Sequence, residues 1–266
     1  MSQSPSPYAQ GAGAGGPPIG VLDALGMSWR LLTSDFWPLW TAALVAFVVF
    51  VGSGMVPFGS LIAMPPLAAG LVYVLMRRLD GHAISAGQVF EGFRVRFTES
   101  LVAMLPLMAA ILIGVAVATV VSLIVLLPVL MAATSSPTPN FEPLLKAYGV
   151  LIGLSWAMHF PVSLVMLFLF FAPAALWGRH PKGWDAAKCS ARLVWEHLWP
   201  MLGLWVIYAV VNIATTIAGL LLCCVGGLFL TPVVYVWFGG ASVILYRSWT
   251  GQPLVQTVIE PQTAAM

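Results

Sequence analysis

Few polar side chains fall inside the long apolar runs of this sequence, and two of them could do chemistry there. His159 and Asn212 lie in separate runs, and Thr215 and Thr216 follow Asn212 closely. An intramembrane imidazole can ligate a haem or relay a proton, and an amide flanked by hydroxyls can line a polar path. The commoner roles are an interfacial histidine and an asparagine that bridges helices. His159 and Asn212 are therefore candidates for an intramembrane polar site, and a structural role is the alternative for each.

Four arginines on either side of a short polar stretch form a second candidate site. They are Arg77, Arg78, Arg94 and Arg96. Basic side chains near a membrane surface attract anionic lipid headgroups by about 1 kcal/mol each. The alternative is that they only fix the orientation of the chain. Asp80, Glu91 and Glu99 lie among them and would weaken an anion site. Both interpretations stay open on the sequence alone.

No motif of a known reaction occurs in the sequence. There is no HExxH, GxSxG or Walker motif. Cys189, Cys223 and Cys224 lack metal-ligand spacing, and the adjacent pair cannot close a relaxed disulfide. Residues 11–16 read GxGxxG, but no strand precedes them, so a nucleotide site is not expected. We therefore expect no enzymatic activity, no cofactor and no metal.

The composition is that of a membrane protein. Charged residues make up 8% of the 266 residues, hydrophobic residues make up 60%, and the mean hydropathy is +0.96. A soluble domain is about one-quarter charged, so these charges are too few to coat a soluble globule. A net charge of +2 without a basic stripe argues against a nucleic-acid partner. The first twenty residues lack a basic and an apolar region, so no cleavable signal peptide is expected.

Six apolar runs are long enough to cross a membrane. They cover roughly residues 36–57, 60–78, 101–133, part of 147–177, the stretch from 199 to a turn at Gly226 and Gly227, and the stretch from that turn to Arg247. Pro65 and Pro66 should kink the second span, and Pro161 and Pro173 should break the fourth. The third run would be about 50 Å long as a helix, which exceeds a hydrocarbon core of about 30 Å.

A short amphipathic segment precedes each pair of spans. Residues 23–38 (DALGMSWRLLTSDFWP) and 185–200 (DAAKCSARLVWEHLWP) are similar in register, and the likeness extends to Gly81 and Gly251 after a slip of eight residues. A third segment, residues 86–98, shares only the pattern, with Phe90, Phe93 and Phe97 among its apolar residues. The sequence thus predicts an all-α, polytopic membrane helical bundle with about six transmembrane helices and three cytoplasmic interfacial amphipathic helices.

The basic residues predict the orientation of this bundle. With the spans above, ten of the eleven Lys and Arg residues fall on one side and only Lys146 falls opposite. By the positive-inside rule both termini are cytoplasmic. We expect a disordered tail at residues 1–20, an integral membrane domain at residues 21–249 and a second disordered tail at residues 250–266.

Residues 171–200, FAPAALWGRHPKGWDAAKCSARLVWEHLWP, carry a resemblance to known proteins. Together with residues 70–93 and 226–247, they resemble uncharacterised six-span bacterial inner-membrane families related to the membrane domain of some glycerophosphoryl diester phosphodiesterases. The chain differs in having Trp199 where Asn often precedes Pro. No phosphodiesterase catalytic domain is present, so the resemblance implies a fold and a bacterial inner membrane, with no catalytic residues.

Two functions are consistent with these observations. The first is a non-enzymatic scaffold or modulator of a membrane partner or of the lipid environment, because three amphipathic helices lie on one face. The second is a transporter or flippase of a hydrophobic or lipid-like solute, because spans broken by proline could form a cavity. We expect membrane lipids, and a membrane-protein partner or further copies of the chain, as partners.

Overall fold

The computed structural model describes residues 19–135, 142–221 and 225–253, although some side chains in α5 and α6 lie outside the described part. Within these ranges the chain is helical and contains no strand. The elements are α1 (Val21–Ser34), α2 (Phe36–Ser53), α3 (Gly59–Leu79), a 3₁₀ helix (Ala86–Phe90), α4 (Glu91–Val95), α5 (Phe97–Ser135), α6 (Glu142–Phe168), α7 (Ala172–Trp177), α8 (Gly183–Glu196), α9 (Leu198–Leu221) and α10 (Val225–Trp249).

Six helical stretches in the described residues are long and apolar enough to span a membrane. They are Phe36–Ser53, Gly59–Leu79, Phe97–Val129, Phe160–Trp177, Leu198–Gly219 and Gly226–Trp249. The predicted all-α, six-span fold class is therefore confirmed. One detail differs from prediction: the helix continues through Pro161, which lies inside α6, and breaks only at residues 169–171, just before Pro173. Pro173 lies in the first turn of α7, where the missing N–H costs no helix hydrogen bond.

The chain divides into two compact units. One contains the described residues up to Met104 and from Phe170 onward, and the other is Leu105–Leu169. In the second unit, large apolar side chains of α5 such as Ile113 and Ile124 are exposed. The whole of α5 has 39 residues, which is about 58 Å of helix and agrees with the over-long third run in the sequence.

In the first unit, three short helical segments each pack against a span. We call them the belt helices: α1, α4 with its preceding 3₁₀ helix, and α8. The α4 segment packs against α3, α8 packs against α7, and α1 packs against α10. Because α1 begins the described chain and α10 ends it, the first belt helix joins the two ends of the unit.

The contact between α1 and α10 is a close approach of helix backbones. The Ser28 hydroxyl donates to the carbonyl oxygen of Trp237 at 2.6 Å, and the Trp237 indole donates to the carbonyl oxygen of Leu25 at 2.9 Å. Gly240 makes room for this contact, since a Cβ there would lie 2.2 Å from the Ser28 hydroxyl oxygen. A small residue on each helix is therefore required.

The other two belt helices also place a small residue against a neighbouring backbone. A Cβ on Gly92 of α4 would lie 1.9 Å from the carbonyl oxygen of Pro66, and one on Gly70 of α3 would lie 1.7 Å from that of Val89. In α8, the buried Ser190 hydroxyl accepts a hydrogen bond from the Phe171 backbone N–H at 3.0 Å. Small side chains permit the close packing in each case.

The buried faces of two belt helices differ from the apolar faces in the sequence. In α1, Leu25 is buried, but Leu22 and Trp29, which lie at helical spacing from it, are exposed, because the face centred on Ser28 meets α10. Next to α4, Phe90 and Phe97 are exposed, because the glycine at position 92 allows that side to approach α3. These exposed apolar side chains are available to lipid or a partner.

The helices α3 and α10 end in the same way. Gly81 and Gly251 have φ angles of +78° and +66°, a left-handed conformation that glycine adopts without strain. His82 donates its backbone N–H to the Arg77 carbonyl oxygen at 3.0 Å, and Gln252 donates to that of Arg247 at 2.8 Å. Both ends are Schellman motifs.

We predict that Gly92→Ala lowers the free energy of unfolding by about 1–3 kcal/mol, because the new Cβ would collide with the Pro66 carbonyl oxygen. The control is Gly26→Ala in α1, where a Cβ meets nothing within 4 Å and alanine favours the helix. Thermal unfolding of the purified protein in detergent measures both. Equal midpoints for the two variants would show that α4 does not approach α3 this closely.

Candidate functional site

A buried ion pair joins the ends of α3 and α10. Arg247 in the last turn of α10 is 7% exposed, and its guanidinium donates to both carboxylate oxygens of Asp80, at 2.6 and 3.0 Å. Asp80 is the C-cap residue of α3. A buried guanidinium without a partner is costly, so this pair fixes the two span ends relative to each other.

Two of the four arginines in the predicted lipid site have carboxylate partners. Arg78 donates from Nε to Asp35 at 2.6 Å, across the elbow between α1 and α2. Arg94 donates to Glu91 at 3.0 Å within α4. Their positive charges are compensated inside the protein, which makes both less available to an external anion.

The other two arginines flank an aromatic pair, and we call the four residues Arg77, Tyr73, Trp177 and Arg96 the arginine–aromatic stack. The ring centroids of Tyr73 and Trp177 are 4.5 Å apart. The guanidinium carbon of Arg77 lies 5.9 Å from the Tyr73 centroid, and that of Arg96 lies 5.5 Å from the Trp177 centroid, both within cation–π range. The Trp177 indole donates to the Ala69 carbonyl oxygen at 2.7 Å, which fixes the stack against α3.

The connection between α7 and α8 lies against this stack. Arg96 donates to the carbonyl oxygen of Pro181 at 3.3 Å. Just beyond, the Gly183 backbone N–H donates to the Glu99 carboxylate at the first turn of α5. A Cβ on Gly183 would lie 2.1 Å from the Glu99 carbonyl oxygen, so glycine permits this contact. Glu99 is thus used to cap α8.

Three further basic residues near this connection are exposed. They are Arg179, Lys182 and Lys188. The ammonium group of Lys188 lies 5.8 Å from the ring centroid of the exposed Trp184. Within the described part of the chain, none of the three has a carboxylate at ion-pair distance. The predicted lipid site did not include these three residues. Arg179 and Lys182 carry a recognisable signal, because they lie between two tryptophans in residues 177–184 (WGRHPKGW).

The predicted intramembrane polar site divides between the two compact units. Asn212 donates to the Tyr208 carbonyl oxygen at 2.9 Å, and Thr215 and Thr216 donate to carbonyl oxygens four residues earlier in α9. Each of these side chains thus donates one hydrogen bond within its own helix. His159 falls in α6, but its side chain lies outside the described residues.

Cysteine and metal chemistry add little to this site. Cys189 in α8 is half-buried, and burial raises the pKa of its thiol. Cys223 and Cys224 lie outside the described residues. Among residues that are described, no three His, Cys, Asp or Glu side chains are grouped closely enough to hold a metal ion.

The fold defines a multi-pass, all-helical membrane protein, whose described basic residues concentrate near the ends of α3, α7 and α10. The chain matches no protein-family model, no curated protein and no solved structure.

We predict that Asp80→Asn lowers the free energy of unfolding by about 2–3 kcal/mol. Losing one partner of a fully buried pair costs about 3–5 kcal/mol, and the partial exposure of Asp80 reduces this. Glu91→Gln, which breaks the more exposed pair with Arg94, should cost about 0.5 kcal/mol or less. Denaturant-induced unfolding in detergent micelles measures both variants.

A double variant tests the same pair more strictly. Asp80→Asn combined with Arg247→Met leaves no unpaired buried charge, so it should be more stable than the sum of the two single losses predicts. Strict additivity would contradict a direct interaction between these two side chains.

Proposed function

We propose that this chain is a non-enzymatic scaffold of the bacterial inner membrane, which holds a membrane-protein partner or organises the surrounding lipids through its belt helices. The observation that supports this best is that the belt helices are packed by backbone contacts while their outer residues remain exposed. Leu22 is 73% exposed and Trp195 is 70% exposed. A rigid support with exposed apolar and basic side chains suits docking at a membrane surface.

We further propose that the belt helices begin three related units, each with one belt helix and two spans. The matching Schellman motifs at Gly81 and Gly251 support this, as do the small residues Ser28, Gly92 and Ser190 at the three contacts. The resemblance to six-span bacterial families supports the same arrangement. In this proposal both termini and all three belt helices are cytoplasmic, as the distribution of basic residues favours.

The carrier alternative receives less support. The polar side chains of α9 that could line a path for a solute, Asn212, Thr215 and Thr216, each donate a hydrogen bond within the helix. Hydrogen bonds of this kind are typical of residues with a packing role.

The orientation can be tested by cysteine labelling in a background with Cys189, Cys223 and Cys224 changed to Ser. Lys182→Cys should react with a membrane-impermeant maleimide only after spheroplasts are permeabilised. Met55→Cys, which replaces an 88% exposed residue in the turn after α2, should react in intact spheroplasts. Labelling of Lys182→Cys from outside would reverse the proposed orientation.

The scaffold role can be tested by photo-cross-linking in cells. A photoreactive amino acid at Leu22 should give a discrete adduct, and a charge reversal at the exposed Arg30, Arg30→Glu, should weaken it severalfold. The control is the same amino acid at Val51, an exposed position in a span, which should give only diffuse lipid adducts. Diffuse adducts at Leu22 that Arg30→Glu leaves unchanged would count against a scaffold.

A further inference from the structure

The basic residues of the first unit fall into two groups by their partners. Four pair with carboxylates: Arg78, Arg94, Arg192 and Arg247. Six have no carboxylate at ion-pair distance among the described residues: Arg30 in α1, and Arg77, Arg96, Arg179, Lys182 and Lys188 in the stack, the α7–α8 connection and α8. The acidic residues of this second region are Glu99, which accepts the Gly183 N–H, and Asp185 in the first turn of α8. Five positive charges therefore stand against two negative charges, and this corner of the molecule carries excess positive charge.

The two guanidiniums of the stack are held in place but retain unused donors. Arg77 donates one bond to the Tyr73 hydroxyl at 3.3 Å, and Arg96 donates one to the Pro181 carbonyl oxygen. The Nε–H groups of both arginines are buried and have no acceptor in the described part of the chain. A guanidinium has five N–H donors in a planar fork, which matches the oxygens of a phosphate.

Exposed apolar side chains adjoin these charges. Residues 93–97, FRVRF, alternate apolar and basic residues, and Phe90, Val95 and Phe97 are exposed. Trp184, which follows Gly183 in α8, is 49% exposed. Trp177 is the last residue of a candidate span, so the charges lie where an apolar helix ends. Basic and apolar side chains mixed in this way are typical of contact with a membrane surface.

We propose that the arginine–aromatic stack, with Arg179 and Lys182 of the α7–α8 connection, binds the phosphate of an anionic phospholipid headgroup. The fixed guanidiniums of Arg77 and Arg96 supply the positive charge at the aromatic pair, and the exposed Arg179 and Lys182 add long-range attraction. The neighbouring Phe97 and Trp184 cover the glycerol and the upper acyl chains. These apolar neighbours favour a lipid over a free phosphate, because a free phosphate would need none of them.

This inference rests on the lipid-organising form of the proposed function and adds the class of lipid, an anionic phospholipid. The test uses purified full-length protein in detergent, titrated with phosphatidylglycerol or phosphatidylcholine of identical acyl chains, with the first lipid adduct measured by native mass spectrometry. The wild-type protein should bind phosphatidylglycerol at least about tenfold more tightly. The pair Arg77→Gln with Arg96→Gln should reduce this preference to about twofold or less.

The control pair is Arg94→Gln with Arg192→Gln, which removes the same charge from carboxylate-paired residues and should retain most of the preference. If the stack variant does not fold, Arg179→Gln with Lys182→Gln changes only exposed residues and should lower the preference about threefold or more. An unchanged preference in both site variants would overturn the proposal. Equal losses in the site and control pairs would do so as well, because they would indicate attraction by net charge.

A competition arm separates a lipid from a soluble anion. Inorganic phosphate at millimolar concentration should not displace the first phosphatidylglycerol adduct, and complete displacement would identify a soluble-anion site and overturn the lipid assignment. The experiment contains only protein and lipid. A negative result would therefore overturn lipid binding at this site. The scaffold proposal is tested separately, by the cross-linked adducts formed in cells.

Discussion

The Ser28 hydroxyl reaches the Trp237 carbonyl oxygen only because Gly240 has no side chain, and the packing of the first unit depends on contacts of this kind. Gly92 lies equally close to the α3 backbone, and Ser190 accepts the Phe171 N–H. Between apolar helices in a membrane the hydrophobic effect contributes little, so close backbone approach and hydrogen bonds have to supply the stabilisation. The belt helices are therefore part of the packed core, and their remaining faces are what the protein presents outward.

The basic residues near the span ends divide according to whether a carboxylate pairs with them. The guanidinium of Arg247 is buried and requires Asp80, while Arg78 is held by Asp35, so both contribute to packing. Around the arginine–aromatic stack the carboxylates of Glu99 and Asp185 are outnumbered by the basic side chains. This part of the protein thus combines an internally neutral framework with a net-positive corner, which links the rigidity of the belt to the proposed recognition of anionic lipid.

Much of the fold is predictable from the sequence, because apolar run length and glycine position are local signals. The six spans follow from hydropathy, and the matching left-handed turns at Gly81 and Gly251 follow from their places after two similar helices. The ion pairs are not local, since Arg247 and Asp80 are 167 residues apart and one sequence gives no sign of which charges meet. The buried side of α1 is not apparent from the sequence either, because the polar Ser28 is buried only through its hydrogen bond to a carbonyl oxygen of α10. For the candidate site, residue types alone suggested four equivalent arginines, and their partners then separated Arg77 and Arg96 from the rest.

The most direct test of this account is disulfide formation between Ser28→Cys and Gly240→Cys in a background without the native cysteines. A Cβ at residue 240 would lie 3.3 Å from that of Ser28, so an outward shift of a few tenths of an ångström brings the pair into the range of about 3.5–4.5 Å found in natural disulfides. Mild oxidation in membranes should link the two positions, and non-reducing peptide mass spectrometry should detect the linked fragments from the start and the end of the described chain. No link should form between Ser28→Cys and Gly203→Cys, since nothing lies within 4 Å of a Cβ at residue 203. Absence of the first link under conditions that oxidise exposed cysteines would contradict the packing of α1 on α10, and with it the proposal that the belt helices organise this protein.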